Sequence, residues 1–119
     1  MINIPKSQST LDIFKKEISR HDIRAFIEGI NSTRSCLSNH PDTDPIKCET
    51  AVLSSGNLFT YHTHPNGTPF PSDVDIKTTK RMGKRFLIIG LVPTNEIIIF
   101  SAIDGFHKPI LKVPAKSLL

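Results

Sequence analysis

The residues able to do chemistry gather in one stretch of this 119-residue chain, Tyr61-His62-Thr63-His64-Pro65-Asn66-Gly67-Thr68-Pro69-Phe70-Pro71-Ser72-Asp73-Val74-Asp75. His62 and His64 are two residues apart, and on a strand residues so spaced point to the same face. Two imidazoles on one face can reach a single zinc ion at about 2.1 Å. Asp75 follows eleven residues after His64. The pattern predicts it in the first turn of a helix, where a carboxylate is favoured by the helix N-terminus. Ser72 stands one turn earlier on the same face. Two His and one Asp make three protein ligands. A tetrahedral zinc then keeps its fourth position for water, as catalytic sites do and structural sites do not.

Hydrolysis at such a site also needs a group that takes a proton from water and passes it to the leaving amine. With Asp75 a ligand, that group must come from elsewhere. Glu28 and Glu49 both lie upstream, on segments that read as strands. Ser72 and Asp75 have a second reading as a capping box, Ser at the N-cap and an acid at N3, and the two readings are compatible. His40 with Asp42 and Asp44 reads as turn residues of a Pro-rich stretch rather than a second metal site. His21 and His107 are isolated.

The elements that must hold these residues follow from periodicity and turn chemistry. Met1 to Pro5 reads as a strand, and Leu11 to Ile18 as a helix capped by Ser9 or Thr10. Ile23 to Ile30 reads as a strand by its β-branched and aromatic content. Asn31 to Pro45 reads as loop. Ile46 to Ser54 and Leu58 to His62 read as strands around a turn at Ser55-Gly56-Asn57. A helix is expected from Ser72 to Met82, with Gly83 as its C-cap. Phe86 to Val92, Glu96 to Ala102 and Phe106 to Val113 complete the strands, and the tail from Pro114 is expected to be loose. The order β-α-β-β-β-α-β-β-β implies an α+β, or α/β sandwich, fold. Its sheet is mixed and flanked by helices, in one domain over residues 1–119.

Composition excludes other classes. With 38% hydrophobic and 22% charged residues, the chain is neither disordered nor collagen-like. The apolar run Phe86-Leu87-Ile88-Ile89 falls far short of the ~20 residues that span a bilayer, and the N-terminus lacks the pattern of a signal peptide. Cys36 and Cys48 are too few for a disulfide scaffold, so they are expected as free thiols of a reducing, cytoplasmic compartment. Residues 1–60 are neutral, and residues 61–119 carry the whole net charge of +4. Lys77, Lys80, Arg81, Lys84 and Arg85 fall on one face of a helix if it continues past Gly83. Such a face is either simply solvated or meets something acidic, a protein or a nucleic acid. No aromatic interleaving points to base stacking.

His62-Thr63-His64-Pro65, a short loop and then Ser72-Asp73-Val74-Asp75 resembles the signature of the JAMM family, also called MPN+ or JAB1. The resemblance implies the cytidine-deaminase-like JAMM/MPN fold and a zinc metallopeptidase, often an isopeptidase of deubiquitinase type. Such enzymes cut the amide bond between the C-terminus of a ubiquitin-like modifier and a lysine of its target. Carried over by position, His62, His64 and Asp75 correspond to the zinc ligands, and Ser72 to the donor that stabilises the oxyanion. Glu28 corresponds to the general base, because it follows the first helix and is itself followed by Gly29; Glu49 is the alternative. Metallo-β-lactamase and cupin patterns do not fit the residues after His64.

The loop from Pro65 to Ser72 also resembles that of RadC-type proteins, JAB-fold relatives associated with DNA repair. A nucleic-acid-associated role would suit the basic residues. The match departs downstream, where Arg85 stands before Phe86-Leu87-Ile88 in place of an Asp-His pair. A non-catalytic scaffold of the same fold is the third reading, although scaffolds normally lose the ligands and this chain keeps them. No membrane partner is expected, and no pattern speaks to oligomeric state.

Overall fold

The computed structural model describes residues 16–119. The expected strand at Met1–Pro5 and most of the expected first helix lie outside the described residues.

Helix α1 runs Arg20–Asn39. It replaces the expected strand at Ile23 to Ile30 and part of the expected loop after it. The apolar residues there are spaced for a helix: Ile23, Phe26, Ile30 and Thr33 share its buried side. Ser19 caps it, its hydroxyl accepting from the Asp22 amide at 3.1 Å, which satisfies a donor with no partner inside the helix. Residue type suggested a strand, but the spacing and the cap decide for a helix.

The expected strand Ile46 to Ser54 divides. Pro45–Cys48 forms a short 3-10 turn, and only Ala51–Leu53, strand β1, joins the sheet. Strands β2 (Phe59–His64), β3 (Phe86–Leu91), β4 (Glu96–Ser101) and β5 (Pro109–Pro114) follow. The sheet is mixed, in the order β1-β2-β3-β4-β5. β2 and β3 are parallel and the other pairs antiparallel. A parallel pair needs a crossover, and helix α2 (Asp73–Arg81) lies within it.

The helices cover opposite faces of the sheet. Ile23, Phe26 and Ile30 of α1 pack on Phe59, Tyr61, Ile88, Ile97 and Ile99. The intervening residues Leu87, Ile89, Leu91, Ile98 and Phe100 face the other way, toward Ile76 of α2, as strand alternation requires. Tyr61 pins α1 down. Its hydroxyl donates to the Phe26 carbonyl at 2.6 Å, and its ring stacks on Phe26 at 4.6 Å. Gly90 makes room for this: a Cβ there would lie 2.6 Å from Tyr61 Oη.

Two further expectations are corrected. The C-terminal tail is not loose. Ala115–Leu118 forms a 3-10 turn whose Ala115 and Leu118 are buried, and the Ala115 amide donates to the Asn95 carbonyl at 2.8 Å. Cys36 and Cys48 are not free thiols. They form a disulfide with Cα atoms 5.6 Å apart, joining α1 to the 3-10 turn, and the reducing compartment inferred from free thiols loses its basis. Among the described residues no helix is long and apolar enough to cross a membrane.

Candidate metal centre

On β2 the odd positions face α1, as Tyr61 shows and as Thr63 confirms by bonding Thr33 at 2.9 Å. The even positions face α2, where Thr60 meets Thr79 of α2 at 2.9 Å. His62 and His64 therefore project on the α2 side, where Asp75 opens the helix. His62 Nε2 lies 3.6 Å and His64 Nε2 3.7 Å from Asp75 Oδ2. One ligand atom from each of the three residues falls within 4.8 Å of the others. Two ligands of one tetrahedral zinc with bonds near 2.1 Å stand about 3.4 Å apart, so the donor set fits such an ion with little adjustment.

The surroundings shape each of the three side chains. Ser72 is the N-cap of α2, and the capping box is complete: the Asp75 amide donates to Ser72 Oγ at 3.1 Å and the Ser72 amide to Asp75 Oδ2 at 2.9 Å. Burial works against the Asp75 carboxylate, but hydrogen bonds from His64 and Ser72 and the nearby His62 outweigh it and hold its pKa down at about 2. Burial pulls His62 below its ordinary value, which favours the neutral ring that a metal needs. Burial also opposes charge on His64, but its bonds to Asp75 and to the Thr68 carbonyl, with the charges of Asp75 and Glu49, leave it raised.

The structure separates the two candidate bases. Glu28 sits on the exposed side of α1, which covers the opposite face of the sheet, and it does not line the cavity around the histidines. Its expected placement beside the ligands is corrected for that reason. Glu49 does line this cavity of about 510 Å³, together with His62, His64, Ser72 and Asp75. β1 pairs with β2 as Ala51 with His62. Carried two residues further, that register sets Glu49 opposite His64 on the same face. Burial raises the Glu49 pKa; His64 opposes this, and the charges of Asp75 and Asp44 add to it.

The basic stripe is corrected too. α2 ends at Arg81, and Gly83 turns the chain with φ +67°. Lys84 is only 8% exposed; its Nζ donates to the carbonyls of Ser54 and Gly56 and holds the β1–β2 turn. Arg85 pairs with Glu17 at 3.0 Å. Lys77, Lys80 and Arg81 remain as an exposed basic group on α2. Thr68 and Thr63 were not singled out by sequence, because a backbone carbonyl and a threonine on the far face carry no motif.

The fold and site define a JAB-type domain. Residues 16–102 match the family described as prokaryotic homologs of the JAB domain, Prok-JAB, and the chain belongs to that family. Shorter stretches resemble UPF0758 proteins. One from Listeria innocua is 39% identical over 46 residues, 39% of this chain and 20% of the relative. One from Clostridium novyi is 36% identical over 52 residues, 44% of this chain and 23% of the relative. One from Shouchella clausii is 37% identical over 51 residues, 43% of this chain and 22% of the relative. The match thus spans about a fifth of these curated relatives. No solved structure matches the chain.

Proposed function

We propose that the chain is a zinc-dependent hydrolase of amide or isopeptide bonds, with the C-terminal linkage of a small ubiquitin-like protein as its substrate class. One observation carries this reading: two imidazoles and a carboxylate converge within ligand distance, and a carboxyl group of raised pKa lines the same cavity. His62, His64 and Asp75 would hold the ion, which when bound supplies Lewis acidity and brings the pKa of water toward neutrality. Glu49 accepts the proton of the attacking water and returns it to the leaving amine. A raised carboxyl pKa suits both halves of that task, since the group must give the proton up again. Ser72 donates to the developing oxyanion from the start of α2, where the helix dipole also favours negative charge.

The test is hydrolysis of a ubiquitin-like protein carrying a C-terminal aminocoumarin amide by the zinc-loaded chain. Turnover that Asp75→Asn abolishes is expected. Zinc binding without turnover of this or any isopeptide-linked substrate would overturn the reading.

The resemblance of the loop from Pro65 to Ser72 to RadC-type proteins, beside the matches to UPF0758 proteins, favours a second reading, a nucleic-acid-associated JAB domain. Lys77, Lys80 and Arg81 would then contact phosphates. DNA affinity that falls steeply with salt, with a slope reduced by about 1 for each lysine or arginine replaced, is its signature.

A further inference from the structure

We infer that the Cys36–Cys48 disulfide and the hydroxyl cluster of Thr33, Thr50 and Thr63 together hold Glu49 at the metal ligands, so that the base is in place only in the oxidised chain. The inference rests on the reading of Glu49 as the base.

Glu49 makes no side-chain hydrogen bond of its own among the described residues, so what keeps it beside the histidines is the fastening of its backbone. That backbone is fastened on both sides. Immediately before it, Cys48 is buried and bonded to Cys36 of α1. Immediately after it, the Thr50 amide donates to Thr63 Oγ1 at 2.9 Å and the Thr63 amide to the Thr50 carbonyl at 3.0 Å. Thr33 of α1 completes the cluster, 2.9 Å from Thr63 Oγ1 and 3.2 Å from Thr50 Oγ1. Thr33 and Thr63 are wholly buried, on the face of the sheet away from the metal ligands. They touch no reacting group and act through Glu49 as positioning residues.

The two anchors are of different kinds. The threonines persist in any redox state. The disulfide takes two electrons and two protons from a dithiol, its S–S bond giving two thiols while the dithiol closes to its own disulfide. Cys36 is only partly buried, so a small reductant can reach the bond. Once it opens, no hydrogen bond among the described residues ties the segment from Pro41 to Cys48 to α1, whose last contact is the His40 amide on the Cys36 carbonyl, and Glu49 loses the nearer tether. Displacement of about 1 Å in a catalytic group costs on the order of 100-fold in rate.

The primary test needs no substrate. Cobalt(II) in place of zinc broadens NMR signals near the ion. In the oxidised chain the Glu49 signals should be strongly broadened. Reduction with a water-soluble trialkylphosphine, which takes oxygen from water as two thiols form, should restore them while the His62 and His64 signals stay broadened. The double variant Cys36→Ser/Cys48→Ser should match the reduced state without phosphine. Equal broadening of Glu49 in both redox states overturns the inference. In turnover of the aminocoumarin amide, reduction and Thr63→Val should each lower kcat about 10- to 100-fold with KM and metal content unchanged, and Thr63→Ser should restore it. If Glu49→Gln abolishes turnover but reduction and Thr63→Val do not lower it, the inference falls and the base stands. If Glu49→Gln changes nothing, the reading of the base falls and takes the inference with it.

Discussion

Asp75 and His64 are joined through a single oxygen: Asp75 Oδ2 stands 3.7 Å from His64 Nε2. The other ring nitrogen of His64 is 2.7 Å from the Thr68 carbonyl. A carbonyl only accepts, so Nδ1 keeps its proton, and Nε2, whose proton faces Asp75 in the metal-free protein, is the nitrogen left to bind an ion once that proton leaves. The second bond selects the tautomer that a metal ligand needs. Loss of such supporting partners costs 10- to 100-fold in metal affinity, and loss of a ligand costs at least as much. Asp75→Ala should therefore weaken zinc binding by more than about 100-fold in a competition titration. It should also lower stability by about 1 kcal/mol through the lost cap. His62→Ala should show the first effect without the second.

The metal-free protein should record the same cluster in its pH dependence. Asp75 has its folded pKa held down at about 2, from an ordinary 3.8. Its contribution to stability is therefore full above about 3.8 and lost as the pH falls through about 2. His64 has its folded pKa raised above the ordinary 6.5. Its contribution is full below 6.5 and lost as the pH rises through the raised value. Thermal melts in chelator should show both slopes, and Asp75→Asn should flatten both. An unchanged acid limb in that variant would contradict the assignment.

Glu49 and Glu28 make opposite predictions for the same substitution. Glu49→Gln should lower kcat about 10²- to 10⁴-fold with zinc content unchanged, the usual range for removing a general base. Glu28→Gln, on the exposed side of α1, should leave kcat within about twofold. Steady-state kinetics on the two variants decides between them, and the reverse result would return the role to Glu28.

Much of the site was legible because its residues are local. Ser72 and Asp75 belong to one helix turn, and His62 and His64 to one strand, so spacing alone sets their faces. The apolar runs of β3 and β4 and the stop at Gly83 were equally clear. What failed depends on distant pairing. By residue type Ile23-Arg24-Ala25-Phe26-Ile27 suits a strand, while the spacing of Ile23, Phe26 and Ile30 suits the helix that forms. Glu49 reaches the site only through the β1–β2 register. The cysteines meet only because α1 passes beside the 3-10 turn, and Lys84 is buried only because the helix stops three residues before it.

Gly90→Ala should test how α1 is seated. The added Cβ would meet Tyr61 Oη at 2.6 Å and Ile30 Cγ1 at 2.9 Å, and neither can retreat from a filled core. A loss of about 1–3 kcal/mol is expected in chemical denaturation. Tyr61→Phe, which removes only the hydroxyl bonded to Phe26, should cost about 1 kcal/mol. The double variant should lose less than the sum, since removing the hydroxyl relieves part of the clash.

The capping box of α2 gives the centre a built-in reporter. Asp75 Oδ2 is at once the oxygen nearest both imidazoles and the acceptor for the Ser72 amide. Capture of an ion there would therefore be linked to the winding of the first helical turn, each favouring the other to the same extent. Filling the centre should slow deuterium uptake at the amides of Ser72 and Asp75 and deepen the protection of the turn behind them. Emptying it should let that turn fray, so occupancy can be read from the backbone without observing the ion.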